Sequence, residues 1–411
     1  VYYFPFNPKA IKQEARWGAP RYAVYLLKAS GDPMLIDVGE AQAIETLIAD
    51  LLEALRHPGG PLKVQVLAKE LDRLLRQPLC LHLGSVEQLF VSPDGQLNLL
   101  PFAVLQDTQG RTLIEQYDLT YLTSGRDLLP SDTRTRRSEP AVVFADPDFG
   151  PLESAEAAVK VPSHRSADFD RAGLRFKALQ GTAQEADALR TLLKLPPGQV
   201  FTQQRATETA LKQVHGPRIL HLATHGFFLD DLSVDLNASA RFARGVGLDE
   251  DLRPPIVRGE NPLLRSGLAL AGANQLRSGA DDGILTAQEV AGLDLQGTEL
   301  AVLSACETGV GQVHTGEGVY GLRRALVLAG VRTQVASLWK VDDAATKDLM
   351  VAYYQHLRAG MGRSAALRAV QRAMMQDPTR AHAYYWAAFV VIGDASPLPG
   401  EPAGETKITH Q

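Results

Sequence analysis

RILHLATHGFF at residues 218–228 and TELAVLSACETG at residues 298–309 are the stretches whose reading decides the fold. The first carries Ile219, Leu220, Leu222 and Ala223, the second Leu300, Ala301, Val302 and Leu303. Each apolar run stops near a glycine, which bounds it as a buried strand. A strand apolar on both faces suits a parallel sheet covered by helices on either side. Ligands of such sheets gather beyond the carboxyl ends of the strands. His225 closes the first run and Cys306 the second, so both are predicted at that edge as a base and a nucleophile.

A cysteine attacks as the thiolate and needs a neighbour to take its proton. Imidazole, with an unperturbed pKa of about 6.5, accepts and returns a proton near neutral pH. The histidine precedes the cysteine here, which is no obstacle, because such pairs are defined by geometry and not by order. Gly226 directly follows His225. Without a side chain it lets a substrate approach the backbone, and its N–H can join that of Cys306 in holding an oxyanion. The competing reading is that both residues are ordinary core or strand-end side chains. His221 is a rival base on the same face of the strand, but its place inside the run favours structural burial. His215 and His314 fall in polar loops and have no better claim.

Outward from these strands the chain alternates strand and helix patterns. Arg21–Ala29 and Met34–Val38 read as a hairpin, followed by helices over Ala41–Arg56 and Val64–Leu75. Further strands are predicted at Val86–Ser92, Leu97–Leu105 and Leu113–Leu122. The polar stretch Ser124–Pro140, with Arg134, Arg136 and Arg137, reads as a solvated linker or a site of proteolytic processing. A second βα series then starts at Ala141–Ala145. Its first helix is predicted over Thr182–Lys194 with Thr182 as N-cap. Leu229–Pro262 lacks periodicity and reads as a long lid-like loop or an insertion. After Cys306, helices over Val319–Ala329, Ala344–Arg358 and Ser364–Met375 alternate with strands at Thr333–Trp339 and Trp386–Ile392. The repeating order predicts an α/β protein with a mostly parallel central sheet flanked by helices. The domains expected are an amino-terminal non-catalytic α/β unit at 1–138, a catalytic unit at 139–395 and an unstructured tail at 396–411.

Composition narrows the function. The 411 residues carry a net charge of −5, without the basic excess that a nucleic-acid surface requires. No run approaches the length of a membrane span, and VYYFPFNPKAIKQEARWG lacks a signal peptide's order. A cytoplasmic location is therefore expected, with no nucleic-acid or membrane partner; what precedes Val1 is open. Only Cys80 and Cys306 are present, which excludes a disulfide framework and a CxxC zinc cluster. Cys80 is expected to be buried as a small apolar residue.

HLATHGFF, NPLLRSGLALAGAN, DDGILTAQEVAGLDLQGTELAVLSACETGVG, GEGVYGLRRALVLAGV, SLWKVDD and YYWAAFVVIGD together resemble the CHAT family of caspase-like cysteine peptidases, which is related to separase. ALQGTAQEADAL resembles the family's opening helix, and VEQLFVSPDGQLNLLPFAVL the segment before it. The resemblance implies a caspase-like fold whose amino-terminal half is a companion without catalytic residues. It assigns the base to His225 and the nucleophile to Cys306, with no cofactor or metal. It further implies a protein substrate, a bacterial signalling role, and control by a regulatory protein or a TPR-type sensor domain.

The same resemblance implies a pocket beside the nucleophile, lined in part by the next strand. Ser337, Trp339 and Val341 alternate to one face there, with Asp342, Asp343 and Glu307 nearby. An acidic floor would favour arginine or lysine before the cut bond. Against this, Asp342 or Asp343 could equally cap the helix beginning at Ala344, and Trp339 could present an apolar wall. Two other functions compete with an endopeptidase. One is a latent or non-proteolytic scaffold that binds partners through the same fold. The other, metal-dependent hydrolysis through His221 and His225, lacks an HExxH or comparable ligand set.

Overall fold

The computed structural model describes residues 1–7, 9, 16–129, 139–152, 174–229, 261–304, 312–314, 318–339 and 342–400. The chain opens with strands β1 (Tyr2–Tyr3), β2 (Arg21–Leu26) and β3 (Met34–Glu40), which form an antiparallel sheet. Helices α1 (Ala41–Leu55), α2 (Pro61–Leu75) and α3 (Cys80–Leu83) lead to β4 (Gln88–Val91), α4 (Leu113–Gln116) and β5 (Asp118–Tyr121). Next come β6 (Val142–Pro147), α5 (Gln180–Leu192), β7 (Val200–Gln203), α6 (Glu208–Lys212), β8 (Ile219–Ala223) and β9 (Gly226–Phe228). Strands β10 (Ser266–Ala269) and β11 (Ile284–Thr286), helix α7 (Ala287–Ala291) and β12 (Leu300–Leu303) follow. Beyond a ribbon of β13 (Gln312–His314) and β14 (Gly318–Tyr320) lie α8 (Leu322–Ala329), β15 (Thr333–Ser337) and α9 (Asp343–Arg358). Helices α10 (Arg363–Gln376) and α11 (Ala383–Trp386) precede the last strand, β16 (Phe389–Gly393).

Eight strands form the central sheet, in the order β4-β5-β16-β15-β12-β8-β6-β7. Its neighbours run parallel except at β15 and β16, which are antiparallel. The sheet thus consists of two opposed parallel sets, and β8, β12 and β15 lie inside one of them. Every residue of these three strands is buried. That is the burial expected where helices cover a parallel sheet on both sides. Helix α5 packs on β6 and α9, and α10 packs on β5 and β16.

Strands β4 and β5, from the first half of the chain, extend the sheet of the second half, and one hydrophobic core runs from Tyr22 to Leu398. The boundary expected at residue 138 therefore falls between strands of a single sheet. Of the tail expected from 396, Leu398 is buried; residues 401–411 lie outside the described part.

Three local expectations are corrected. Leu97–Leu105 is not a strand but two short 3-10 turns, at Gly95–Leu99 and Phe102–Val104. Asp94 caps the first through Gly95 N, and Pro101 has no N–H for a strand ladder. Within Leu113–Leu122 only Asp118–Tyr121 is extended. Thr112 and Glu115 form a reciprocal capping box that winds the preceding residues into α4. Thr182 is not the N-cap of α5, which begins earlier at Gln180; its hydroxyl donates back to Leu179 O at 2.8 Å.

Candidate active site

His225 stands where the chain leaves the main sheet. Strand β8 ends at Ala223, and β9 begins at Gly226 in a separate antiparallel sheet with β10 and β11. The turn between them is tied to β10 twice. Thr224 Oγ1 donates to Ala269 O, and Ala269 N donates to His225 O at 2.9 Å. Strand β10 is the middle of this second sheet, paired with β9 and β11.

The imidazole is held on three sides. Its Nε2 lies 2.7 Å from Lys177 O, and the rings of Phe149 and Phe176 lie 5.2 and 5.6 Å away between centroids. A carbonyl can only accept, so Nε2 carries the hydrogen of this contact. The rings belong to a small core of Phe149, Phe176, Phe227, Leu229, Ala269, Ala273 and Ile284, separate from the main one.

Gly226 lies opposite Leu268. The bonds from Ala269 N to His225 O and from Leu229 N to Arg265 O mark the hydrogen-bonded positions on either side. Alternation makes Gly226 a non-hydrogen-bonded position. Strand β9 is the edge of its described sheet, so the Gly226 N–H points away from β10. At the opposite edge of this sheet, just before β11, Glu208 accepts from Gly283 N at 2.8 Å and pairs with Lys212 at 2.7 Å. Burial raises the Glu208 carboxyl to about 7, against the pull of Lys212.

His221 occupies a different setting. It is fully buried, with Nδ1 3.1 Å from the Tyr354 hydroxyl and Nε2 3.0 Å from Glu185 Oε1, the latter contact not aligned as a hydrogen bond. Ser304 Oγ donates to the other oxygen of Glu185 at 3.1 Å. Burial holds the Tyr354 phenol well above its ordinary range, with Tyr353 and Glu185 adding to the effect. The phenol keeps its proton and can donate to Nδ1, which leaves the ring hydrogen on Nε2, the nitrogen beside the carboxylate. The structural burial expected for His221 is what is found. Glu185, in the AQEAD stretch of α5, reads in the sequence as the acid three residues after a Thr182 N-cap, but it is buried and meets His221 and Ser304 instead.

The second strand of the pair is set by register. Leu303 of β12 pairs with Leu222 of β8, and Ser304 N donates to Leu222 O at 2.9 Å. Cys306, Glu307 and Val341 lie outside the described residues. Ser337 and Trp339, expected along a pocket wall, are 0% and 1% exposed, and Trp339 Nε1 donates to Tyr384 O at 3.2 Å. Both are core side chains, because β15 is central to the sheet and has no open face. Asp342 caps α9, accepting from Ala345 N at 2.9 Å, while Asp343 is exposed and packs against Gly181 of α5. Cys80 is only partly buried and accepts from Arg76 Nη1 at 2.8 Å, so it is not the enclosed apolar residue expected.

Among the described residues no cluster of histidine, cysteine and carboxylate could hold a metal, and no helix is long and apolar enough to cross a membrane.

These observations define a mixed α/β protein with a largely parallel central sheet and a histidine fixed at the carboxyl rim of β8. The CHAT domain family model matches residues 65–394, and the chain belongs to that family. It is similar to Tetratricopeptide repeat protein 28 of Homo sapiens, 29% identical over 321 residues, 75% of this chain and 12% of the relative. The Mus musculus protein of the same name is 27% identical over 321 residues, with the same coverage of 75% and 12%. The chain thus spans about one eighth of the length of these relatives, at 12%. Among solved structures it is similar to the Arg specific cysteine proteinase gingipain R, with 12% identity, a TM-score of 0.40, and coverage of 84% of this chain and 70% of that one. The complex of Porphyromonas gingivalis RgpB pro- and mature domains shows 12% identity and a TM-score of 0.38, covering 87% of this chain and 77% of that one.

Proposed function

We propose that the protein is a cysteine endopeptidase whose base is His225 and whose nucleophile is Cys306. The observation that carries this reading is the β8–β12 register. His225 and Cys306 each follow the paired residues Leu222 and Leu303 by three positions, on adjacent parallel strands that leave the sheet at the same edge. Family membership supports the same pair.

In this reading His225 Nδ1 takes the Cys306 proton, and the thiolate attacks a peptide carbonyl. The Gly226 and Cys306 N–H groups receive the charge that forms on oxygen. As the C–N bond breaks, the imidazolium returns the proton to the leaving amine, leaving a thioester on Cys306. Water, deprotonated by the same nitrogen, then releases the acid and restores the thiol. Lys177 O keeps the imidazole in the tautomer that serves both transfers.

The substrate is a protein, and regulation comes from a tetratricopeptide-repeat partner or attached domain, a reading supported by the name of the relatives. Exposed Asp343 is the one described acid of the expected pocket set that does not cap the helix, and it is the candidate for attracting a basic side chain. A peptide-library cleavage profile with Cys306→Ala as control tests the proposal. Cleavage after a restricted set of residues, absent in the variant, is expected; equal cleavage by both proteins refutes it.

A further inference from the structure

Asn274 holds the segment that holds His225. It lies in the 3-10 turn Ala273–Gln275, after Gly272, whose φ of +83° puts it in the left-handed region. A Cβ on Gly272 would lie 1.5 Å from Arg277 O, so only glycine permits this turn. The Asn274 side chain is 5% exposed and used at both ends. Its Oδ1 accepts from Phe176 N at 2.9 Å; its Nδ2 donates to Phe176 O at 2.9 Å and to Gly150 O at 3.1 Å. Its backbone N donates to Phe149 O at 2.9 Å. One amide therefore ties down both residues whose rings flank His225, and the residue after Phe176 is Lys177, whose carbonyl meets Nε2.

We infer that Asn274 is a positioning residue for His225, acting through Phe176 and the Lys177 carbonyl to fix the tautomer and plane of the imidazole. Residues 174–179 belong to no helix or strand, so no ladder holds that carbonyl in place. The side-chain amide does so by pairing with both main-chain groups of Phe176, as a neighbouring strand would. Only an amide fits. An N–H faces one end and two carbonyl oxygens face the other, so a carboxylate of the same shape would set like partial charges against each other. The inference deepens the peptidase reading and rests on it for its catalytic consequence, but the positioning itself does not.

The test is Asn274→Ala and Asn274→Asp in the full chain, with three readouts: thermal unfolding, ring nitrogen NMR of His225, and kcat and KM on a cleaved peptide. In the wild-type protein the neutral His225 ring should be the Nε2-protonated tautomer. Both variants should unfold cooperatively yet show a mixed tautomer population, with kcat down about 10- to 100-fold and KM within about twofold. Variants that keep the wild-type tautomer, whatever their melting temperature, overturn the inference. A wild-type protein that cleaves nothing sinks the peptidase reading, while the NMR still decides whether Asn274 positions His225.

Discussion

His221 lies inside β8 and His225 four residues later, in the turn where the chain leaves the sheet, and their settings differ. Around His221 the chain places a carboxylate, a phenol and a serine hydroxyl, all inside the core. Around His225 it places the rings of Phe149 and Phe176 and the Lys177 carbonyl, with the imidazole partly exposed. A buried ionisable group needs every polar neighbour it can gather, because desolvation penalises any left unpaired. A group that exchanges protons needs the opposite: one nitrogen fixed and an environment that leaves the other to react. In the proposed reading, place relative to the strand end, and not residue type, separates the structural histidine from the one assigned as base.

Substitution can break this contrast. His225→Ala should lower kcat/KM on a cleaved peptide by about 10³-fold or more. Its urea unfolding should change by only about 1 kcal/mol or less, since the Lys177 carbonyl it releases belongs to an exposed residue. His221→Leu should do the reverse, costing about 3 kcal/mol in urea unfolding by taking the imidazole away from the buried Glu185 carboxylate and the Tyr354 hydroxyl. Its folded fraction should still cleave. If His221→Leu folded normally and lost cleavage, the two histidines would have been assigned the wrong way round.

Much of this contrast was legible in the sequence. Apolar runs on both faces marked β8 and β12 as buried parallel strands, and the end of each run marked the edge where His225 stands. Less visible was what surrounds the site. Asn274 and Lys177 act through a main-chain carbonyl and an amide, which leave no periodicity to read. Glu185 meets His221 and Ser304 only after α5 folds back on the sheet. Trp339 and Ser337 alternated correctly, but alternation says which side chains share a face and not whether that face is open. β15 is enclosed because β16 returns antiparallel beside it and helices cover both sides. The 3-10 turns near Pro101 kept their apolar residues roughly three apart, and a helical spacing was mistaken for a strand.

The smallest effect sharpens the edge of the site. Asp342→Ala should cost about 1 kcal/mol of stability through the lost helix cap, with the residue preference of cleavage unchanged. A lost preference for basic residues at unchanged stability would show instead that Asp342 faces the substrate.

The central claim is tested most directly by covalent labelling with an electrophilic peptidyl probe, the modified residue being read by mass spectrometry of the wild-type, His225→Ala and His221→Leu proteins. The account predicts label on Cys306 in the wild type and in folded His221→Leu, and little or none in His225→Ala. Equal labelling of Cys306 in His225→Ala, or label on Cys80 instead, would contradict it.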